Sequence, residues 1–310
     1  MAAGKKILFL THSKGRFIRP CPSTKLKLCC NLHNVDIGSN CPFDCTYCIL
    51  NSYLNFLPIT MYTNLDQLEQ QIDEKYAHQF LRVSPGNLTD SLGLDHILNY
   101  SSEVIRIAQK FPQVLIEFKS KSNFVDNVLT NTRYLKNVVM SWSINTERVT
   151  REDEKLTATL EERLIAAKRC LQAGTKLAFH FDPIVVYDGC EEEYIEVIEK
   201  VFSIFDSPAD YAKILWFSMG SLRFEPKLKE MMRLRFPQSR LPLGEFVLSN
   251  DNKYRYFKPL RARLYKAIGK ALLGKFPALP LYLCMEGKDV WKDVFPHIPV
   301  KQDHYRPLYA

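Results

Sequence analysis

Two hydrophobic periods alternate along most of the chain. Short apolar or β-branched runs predict buried strands, and the longer stretches between them, in which apolar residues recur at intervals of three and four, predict amphipathic helices. Gly174 marks the end of one such helix directly before a strand. The predicted strands cover 32–37, 80–83, 114–118, 137–142, 176–181 and 214–217, and the predicted helices cover 65–76, 97–108, 160–171 and 194–202.

The order of these elements predicts six strand–helix units in a row. Such units form a parallel sheet with right-handed crossovers. Since a closed (βα)8 barrel needs eight units, six predict either a partial barrel that is open on one side or a doubly wound sheet. We expect the units to occupy residues 32–239, with a basic lead-in at 1–31 and a C-terminal extension at 240–310 packed on the barrel.

The composition is that of a globular protein with a large core. Of 310 residues, 46% are hydrophobic and 25% are charged, which excludes the disordered and fibrous classes. No apolar run approaches the length of about 18 residues that a membrane span requires. The apolar stretch at residues 5–10 is too short for a signal peptide. We therefore expect a cytoplasmic protein without a membrane partner.

Basic residues outnumber acidic residues by 42 to 34, which gives a formal net charge of +8. This surplus permits an anionic partner such as nucleic acid without requiring one. Cations stand next to stackable rings near both ends of the chain, a mixture that suits distorted or single-stranded nucleic acid but is equally typical of a basic amphipathic helix. For Arg223 the alternative is a surface ion pair. The candidate nucleic-acid contacts are Arg16, Arg223, Tyr254, Arg255, Tyr256 and Arg261.

Three of the nine cysteines, Cys41, Cys45 and Cys48, form a C-x3-C-x2-C run just after the first predicted strand. Active sites of parallel α/β proteins lie at this end of the strands. Three thiolates that hold a four-iron cluster leave one iron without a protein ligand, and that iron is open for chemistry. The alternative is a structural zinc site with Cys29, Cys30 or a histidine as fourth ligand. The expected reducing compartment disfavours disulfides.

Further motifs follow in order along residues 14 to 270: KGRF at 14–17, PCP at 20–22, CC at 29–30, LGLDH at 92–96, KSK at 119–121, SWSIN at 141–145, ERLIAA at 162–167, FHFDPI at 179–184 and GSLRF at 220–224. Together with the cysteine run they resemble the spore photoproduct lyase family of the radical S-adenosylmethionine superfamily. The resemblance implies a partial (βα)6 barrel of the TIM type. It also implies a [4Fe–4S] cluster on Cys41, Cys45 and Cys48, and S-adenosylmethionine as the second cofactor.

The activity that the resemblance implies is radical repair of DNA. In this family the cluster cleaves S-adenosylmethionine to a 5′-deoxyadenosyl radical, which abstracts hydrogen from a methylene-bridged thymine dimer. We therefore expect a pyrimidine lesion in DNA as the substrate. We also expect an external electron donor such as a flavodoxin or ferredoxin.

The resemblance assigns polar residues near the cysteine run and past the strand ends to the cofactor. Lys121 matches the family lysine that meets the methionine carboxylate, and Ser143 and Asn145 match a cofactor-contacting Ser-Ile-Asn. Tyr47 and Asp182 are further candidates for this site. From the residues alone other interpretations stay open, because the lysine can point to solvent and Asn145 can cap the following helix.

Two places in the sequence are candidates for catalysis. His180 and Asp182 stand two apart on one predicted strand and therefore face the same way, either as a catalytic pair or as a structural histidine and its neighbour. The second place is the loop after the second strand, which contains Asn87 and Asp90. The family's hydrogen-donating cysteine corresponds to Asn87. A carboxamide cannot replace a thiol here, since its N–H bonds are much stronger than an S–H bond.

We therefore predict that this chain does not repair the spore lesion by the family's full relay. Either another thiol returns the hydrogen atom, with Cys21, Cys29 or Cys30 nearest in sequence, or the substrate radical has a different fate. Ile49 also stands where the family has a tyrosine. The simpler interpretation is that Asn87 only shapes a turn with its neighbouring proline and glycine.

Two other kinds of protein remain compatible with these residues. One is a radical enzyme that acts on RNA, a peptide or a small molecule. The other is a non-catalytic, zinc-stabilised nucleic-acid-binding protein. Metal content separates the zinc protein from both enzymes, and salt-dependent binding of DNA separates the two enzymes.

Overall fold

A computed structural model describes residues 4–22 and 27–297. The strands are β1 (Leu8–Thr11), β2 (Ile18–Pro20), β3 (His33–Val35), β4 (Gly38–Ser39), β5 (Asp44–Cys45), β6 (Ile59–Tyr62), β7 (Leu81–Pro85), β8 (Val114–Ser120), β9 (Val138–Ser143), β10 (Glu154–Lys155), β11 (Lys176–Ile184), β12 (Ile214–Ser221), β13 (Arg223–Phe224), β14 (Phe246–Leu248), β15 (Tyr254–Tyr256) and β16 (Leu281–Leu283). The helices are α1 (Leu50–Tyr53), α2 (Asp66–Tyr76), α3 (Asp95–Leu98), α4 (Tyr100–Gln109), α5 (Asp126–Leu129), α6 (Glu147–Asp153), α7 (Leu160–Gln172), α8 (Cys190–Phe202), α9 (Pro226–Arg235), α10 (Lys258–Lys275) and α11 (Lys288–Val294). Short 3-10 helices lie at Gly4–Lys6, Thr132–Asn137, Pro208–Lys213 and Leu241–Leu243.

Eight strands form the main sheet, in the order β16-β12-β11-β9-β8-β7-β3-β2. Neighbours are parallel except at one edge, where β2 runs antiparallel to β3. The six predicted strands correspond to β3, β7, β8, β9, β11 and β12, so the predicted parallel sheet is confirmed. Two members were not predicted: β2 comes from the lead-in and β16 from the C-terminal extension. Each has only three residues; β3 is equally short, but it lies inside the longer predicted run 32–37.

The sheet is curled into an open barrel. The Arg82 guanidinium of β7 lies 4.0 Å from the centroid of the Trp216 ring of β12, although three strands separate β7 from β12 in the sheet. At about 4.8 Å between neighbouring strands, the two would lie about 19 Å apart in a flat sheet. The side chains meet because the sheet curves around them. The partial barrel is therefore confirmed, and the doubly wound alternative is wrong.

The predicted helices are present, with one interruption. The stretch 97–108 breaks at Asn99, whose φ of +48° is left-handed, so that α3 ends there and α4 begins. Asparagine tolerates this conformation better than most residues. At the end of α7, Gly174 has a φ of +87°, as expected for the residue that terminates a helix.

Smaller sheets connect the outer segments to the barrel. One has the order β1-β6-β4, a second pairs β5 with β10, and a third has the order β13-β15-β14. The β5–β10 pair joins the segment after the first barrel strand to the segment after β9. Within the described ranges, no helix combines the length and the apolar character that crossing a bilayer would require.

Candidate active site

The cluster loop, residues 41–48, lies between the first barrel strand and α1 and is fixed by backbone contacts. Cys45 on β5 stands opposite Glu154 on β10. The Thr46 amide donates at 2.8 Å to the carbonyl of the residue before β10, and the Asn51 side chain donates to the Cys45 carbonyl at 3.1 Å. These bonds hold the loop against the segment that follows β9, at the C-terminal edge of the sheet.

The three thiols of the cluster loop share one neighbourhood, in which Cys45 is buried and Cys41 and Cys48 are half-buried. Burial raises the pKa of all three, and Cys48 raises the pKa of Cys41 and Cys45 further. Lys121 faces Cys45 and Cys48 and favours their thiolate forms. In the part of the chain that the structure describes, no three Cys, His, Asp or Glu side chains are arranged to hold a single metal ion. In a four-iron cluster each cysteine binds its own iron, and this set of three thiols beside a cation fits such a cluster.

A series of buried hydrogen bonds and one ion pair supports the cluster loop on the side of β10. The Tyr47 hydroxyl donates to the Glu154 carboxylate, which pairs with Arg163 at 2.6 Å. Arg163 also donates to the Ser143 carbonyl at 2.7 Å. A buried charge is tolerated only when it is paired and hydrogen-bonded. This series of bonds therefore fixes the cluster loop relative to the end of β9.

Three polar groups near the strand ends have no hydrogen bond or ion pair with any described residue. They are the ammonium groups of Lys119 and Lys121 and the hydroxyl of Ser143. The Lys121 ammonium lies 5.7 Å from the centroid of the Tyr47 ring. Burial disfavours its charge, but Glu154 and the loop thiols outweigh burial and raise its pKa. A charged, half-buried ammonium without an ion pair to a described residue is available to an anionic ligand.

Asn145 differs from its neighbours because its carboxamide is already bonded. Its Nδ2 donates to the Pro183 carbonyl at 2.9 Å, and its Oδ1 accepts from the Tyr194 hydroxyl at 2.7 Å. The side chain thereby joins the end of β9 to the end of β11. Helix α6 is capped by Thr146, whose hydroxyl accepts from the Val149 amide. The alternative that Asn145 caps this helix is therefore wrong.

The loop after β7 is tied to β8 by Asp90. One carboxylate oxygen accepts from the Ser120 hydroxyl at 2.6 Å, and the other accepts from the Lys121 amide at 2.9 Å. Asn87 is exposed. The positive φ of the turn, +114°, belongs to Gly86, where a Cβ would lie 2.8 Å from a facing backbone nitrogen. Gly86 is thus the residue that the turn requires.

Cys21, Cys30 and Cys284, which we call the strand-end thiols, come together from two distant segments. Cys284 directly follows β16, accepts from Arg223 at 3.4 Å and hydrogen-bonds to Asp182. Arg223 and Asp182 form an ion pair at 3.0 Å. Cys21 interacts electrostatically with Cys30 and with this ion pair, and Cys284 interacts with Cys30. Arg223 is therefore in an ion pair, as the alternative proposed, but the pair is largely buried and not on the surface.

Cys29 and Cys30 belong to the strand-end neighbourhood rather than to the cluster loop. The groups that act most strongly on them are each other, Cys21, Arg82 and Glu117. The hydrogen bond from Cys29, with Arg82 nearby, lowers the pKa of Cys30 to about 6. The structure thus gives no support to these two cysteines as the fourth ligand of a zinc site in the loop.

A buried polar layer lies on the inner face of the sheet near the strand-end thiols. Glu117 pairs with Arg82 at 2.6 Å and accepts from His180 at 2.6 Å and from Ser141 at 3.0 Å. Burial opposes ionisation of Glu117, but Arg82 and His180 outweigh it and hold its pKa well below the ordinary range. Burial lowers the pKa of His180. The neutral ring therefore donates from Nε2 to Glu117, and its Nδ1 accepts from Ser218 at 2.5 Å.

His180 and Asp182 do not form a pair with each other. His180 is hydrogen-bonded to Glu117 within the polar layer. Asp182, two residues further along β11, is hydrogen-bonded to Arg223 instead. The structure favours the interpretation of His180 as a structural histidine. The two residues therefore act with different partners, and a catalytic role for either one stays a prediction.

The six candidates for nucleic-acid contact have different surroundings. Arg255 and Arg261 are buried and engaged in ion pairs, at 2.9 Å for Arg261. Tyr256 is also buried. The two guanidinium groups form ion pairs inside the protein and the Tyr256 ring is packed in the core, so these three residues do not form an exposed basic patch. The candidates that keep solvent exposure are Arg16, Arg223 and Tyr254.

Sequence reasoning did not single out the residues that support the site. Arg82 and Glu117 each interrupt an apolar strand, and this interruption was a usable signal, because a charged residue there must be paired inside the core. Glu154 and Arg163 lie in polar helical contexts that look like solvent-exposed segments. Cys284 gives no local signal, because only the position of β16 brings it to the site.

An open parallel barrel with three cysteines in the loop after its first strand defines a protein of the radical S-adenosylmethionine fold class. Within that class, the chain belongs to the spore photoproduct lyase family, whose family model matches residues 29–273. The family predicted from the motifs is confirmed.

Relatives of this chain are lyases of the same name. Spore photoproduct lyase of Geobacillus sp. is 27% identical over 227 residues, which are 72% of this chain and 64% of that protein. The enzyme of Bacillus subtilis is 26% identical over 215 residues, or 68% of this chain and 62% of that protein. The matched region thus spans slightly less than two thirds of the length of these relatives.

A solved structure of a spore photoproduct lyase variant with bound S-adenosylmethionine and dinucleoside spore photoproduct has a TM-score of 0.80 to this chain. It is 22% identical, and the match covers 91% of this chain and 83% of that chain. At this identity the likeness establishes the fold.

Proposed function

We propose that this chain is a radical S-adenosylmethionine enzyme that acts on a pyrimidine lesion in DNA. The observation that carries the proposal is the set of buried and half-buried thiols Cys41, Cys45 and Cys48 at the C-terminal edge of an open barrel, facing Lys121, whose ammonium makes no hydrogen bond or ion pair with a described residue. A [4Fe–4S] cluster on these cysteines, with S-adenosylmethionine, would supply a 5′-deoxyadenosyl radical that abstracts hydrogen from the substrate. Residues 32–239 would form this catalytic unit, with 1–31 and 240–310 as extensions.

The chain's own residues would bind and orient the second cofactor. Lys121 is charged through its interaction with Glu154 and makes no ion pair at contact distance with a described residue, so it suits the methionine carboxylate. The Ser143 hydroxyl, at the end of the neighbouring strand, makes no hydrogen bond to a described residue. Asn145 would act by position, since its bonds hold the ends of β9 and β11 together. Tyr47 would fix the loop through Glu154.

Asp182 and Arg223 would shape the neighbouring part of the pocket. Their pairing holds the pKa of Asp182 below its ordinary value despite burial, so the carboxylate stays ionised and the pair carries no net charge. The same pair hydrogen-bonds to Cys284. It would therefore hold a thiol in place at the strand ends, in addition to any contact of its own with a ligand.

The proposed substrate rests on the family. Relatives are named spore photoproduct lyases, and one solved relative carries dinucleoside spore photoproduct. Among the nucleic-acid candidates, Tyr254 offers a ring with the Lys229 ammonium 5.0 Å from its centroid, a combination that suits a stacked base and its phosphate. Arg16 is exposed for a backbone contact.

The return of the hydrogen atom would differ from that in the family. Asn87 is exposed and carries no thiol, whereas Cys21, Cys30 and Cys284 gather at the strand ends. We propose that Cys21 or Cys284, whose pKa burial raises so that the S–H bond is kept, serves in place of the family cysteine. All nine cysteines are free, in keeping with a reducing compartment, and we propose the cytoplasm.

Anaerobic reconstitution with iron and sulfide tests the cofactor. We expect about four irons per chain by metal analysis and 5′-deoxyadenosine when a reductant and S-adenosylmethionine are added. Triple replacement of Cys41, Cys45 and Cys48 by alanine should abolish both, whereas Cys190→Ala, remote from the loop, should retain both. A triple variant that still bound a full cluster would refute the proposal, and zinc alone in the wild type would favour the nucleic-acid-binding alternative.

Two assays test the substrate. In the first, the wild type and Asn87→Cys are each incubated with a dinucleotide spore photoproduct, and the amounts of thymine-containing product that they form are compared. Binding to DNA is measured over a series of salt concentrations, because phosphate contacts make affinity fall steeply with salt. If DNA does not bind even at low salt, the enzyme acts on another substrate. Fast repair by the wild type that persists when Cys21, Cys30 and Cys284 are each replaced would refute a thiol among them as hydrogen donor.

A further inference from the structure

An apolar surface lies on the outside of the molecule next to the cluster loop. Sixteen large hydrophobic side chains are exposed in the described part of the chain, and seven of them come from only two short segments, 7–10 and 49–56. This concentration is unusual, since scattered single exposed residues are the norm on a soluble protein. Besides Ile49, they are Ile7, Leu8, Phe9, Leu10, Tyr53 and Phe56, which we call with Ile49 the apolar patch.

The two segments form one continuous surface. The rings of Phe9 and Phe56 meet edge to face with centroids 5.8 Å apart. Strand β1 pairs with β6 from Leu8 opposite Ile59 onward. Helical spacing puts Ile49 and Tyr53 on one side of the single turn α1. The patch therefore runs from the turn that follows the cluster loop to β1.

Strand β1 has the features of a docking edge. In the described sheet β1 is the outer strand, paired only with β6. Its side chains at Leu8, Phe9 and Leu10 are all exposed, so both of its faces are apolar. Edge strands of monomeric proteins are usually protected by charge, proline or a bulge. An unprotected apolar edge of this kind indicates a partner.

The patch is adjacent to the proposed cluster. Ile49 directly follows Cys48 in the chain, and its side chain is 47% exposed. At the other segment, Lys5 contacts the cluster loop through an ion pair with Asp44 at 3.1 Å. A protein bound to the patch would stand within a few side chains of the three cysteines. Electron transfer between proteins requires such proximity.

The charges around the patch favour an acidic partner. Residues 4–19 contain five basic and no acidic residues, and residues 46–65 contain no charged residue at all. Lys5 and Arg19 are paired with Asp44 and Asp36. The exposed cations of this region without an ion pair to a described residue are Lys6, Lys14 and Arg16.

We propose that the apolar patch, with its rim of cations, is the docking surface for a small acidic protein that carries a low-potential flavin or iron–sulfur centre and reduces the cluster. The inference rests on the proposed function. One electron leaves the partner's reduced centre and enters the centre held by Cys41, Cys45 and Cys48, and no bond forms or breaks. An aliphatic edge strand favours a protein over nucleic acid, whose interfaces are polar and reward cations. Electron-transfer complexes are small and transient, in keeping with a patch of seven side chains.

The experiment uses flavodoxin as the acidic redox probe and three variants of the full chain. Leu10→Glu puts a carboxylate in the patch, Lys6→Glu reverses a rim charge, and Ile165→Glu is the matched control on the outer face of α7, where Ile165 is 55% exposed. Affinity for flavodoxin is measured by titration at two salt concentrations, with and without the reconstituted cluster. Cluster reduction is followed by absorbance after mixing with reduced flavodoxin or with dithionite.

We expect Leu10→Glu to weaken flavodoxin binding and slow flavodoxin-driven reduction by about tenfold or more. Lys6→Glu should weaken binding several-fold and reduce its salt dependence, and Ile165→Glu should behave as wild type. Reduction by dithionite should be equal in all four proteins, because a small reductant needs no docking surface.

Several results would overturn the proposal. One is unchanged flavodoxin binding in Leu10→Glu and Lys6→Glu. Another is weakened binding of an oligothymidylate by the same variants with flavodoxin unaffected, which would assign the surface to nucleic acid. A third is a wild-type dimer in sedimentation that Leu10→Glu dissociates, which would assign it to a second copy. Failure of dithionite to reduce any cluster in the wild type would instead refute the proposed function, and the titration without cluster would still test docking.

Discussion

The two groups of cysteines in this protein are built in opposite ways. The thiols of the cluster loop lie within eight residues of sequence, and one short β pair and a few backbone bonds hold them. Cys21 and Cys30 come from the lead-in, between the paired strands β2 and β3, whereas Cys284 follows β16 at the opposite edge of the sheet and meets them only because the sheet curls. A local motif can be recognised without a fold, whereas an assembled group cannot.

The chemistry of the two groups differs as well. The loop thiols face Lys121 and have raised pKa values through burial, a state that metal binding would reverse by displacing the protons. The strand-end thiols face the Asp182–Arg223 pair and lie near the polar layer around Glu117. The thiols of the cluster loop suit the ligation of iron. The strand-end thiols suit a reaction with a substrate radical in the pocket.

The comparison is tested most strongly by iron content. Single replacement of Cys41, Cys45 or Cys48 by alanine should reduce bound iron severely and bring 5′-deoxyadenosine formation to background, because each thiolate holds one iron. Replacement of Cys21 or Cys284 should leave iron content unchanged. Metal analysis after anaerobic reconstitution gives the answer. Loss of iron from Cys284→Ala in a folded protein would show that the two groups are one site.

The polar layer near the strand-end thiols should dominate stability. Glu117→Gln leaves the fully buried Arg82 without its counter-ion, and breaking such a pair costs about 3–5 kcal/mol of unfolding free energy. Urea denaturation of the apoprotein measures the change. The matched control is Glu103→Gln, which removes an exposed ion pair with Arg106 and should change stability by less than about 1 kcal/mol. Equal effects of the two substitutions would contradict the assignment of a buried, tightly paired layer.

The strand-end thiols should affect the fate of the substrate rather than formation of the radical. Replacing Cys21 or Cys284 by alanine is expected to lower the ratio of repaired product to 5′-deoxyadenosine several-fold, because burial raises the pKa of both thiols and keeps the S–H bond that the product radical would use. Chromatographic quantification of both products measures the ratio. Cys170→Ala, in α7 away from the site, serves as the control. If the ratio changes in none of the strand-end variants, hydrogen returns from another source.

The smallest expected effect is on the pH dependence of stability. Burial lowers the pKa of His180 in the folded state, whereas the unfolded chain takes up a proton near the ordinary value of about 6.5. The unfolded state then binds more protons, so stability falls as pH falls below about 6.5, by at most about 1.4 kcal/mol per pH unit for this residue. Burial of His33 acts with the same sign.

The slope of unfolding free energy against pH is measured by urea denaturation at pH values from about 7.5 to about 5.5, which bracket the ordinary histidine pKa. His180→Gln should flatten it, and His78→Gln, at an exposed position, should not. A slope that is identical in the wild type and His180→Gln would mean that the ring is protonated in the folded protein.

Much of the fold followed from the pattern of the chain. The six central barrel strands were recognisable because each corresponds to a predicted run of at least four residues, and their order required a parallel sheet. The Gly174 helix end was recognisable for the same local reason. The β2 and β16 strands were missed because three residues carry no period. Whether the sheet is curled or flat was decided by tertiary contacts such as that of Arg82 with Trp216.

The sequence by itself determined the family and the position of the cluster loop, because cysteine spacing and strand order are local properties of the chain. Only the tertiary structure decided which polar residues are free. Lys121 and Asn145 are both strand-end matches in the sequence, yet one keeps an unpaired ammonium and the other is bonded to Pro183 and Tyr194. Arg255 and Arg261 likewise look like surface cations until burial and pairing are seen. A buried polar group must find a partner, and the partner is supplied by the fold rather than by neighbours in sequence.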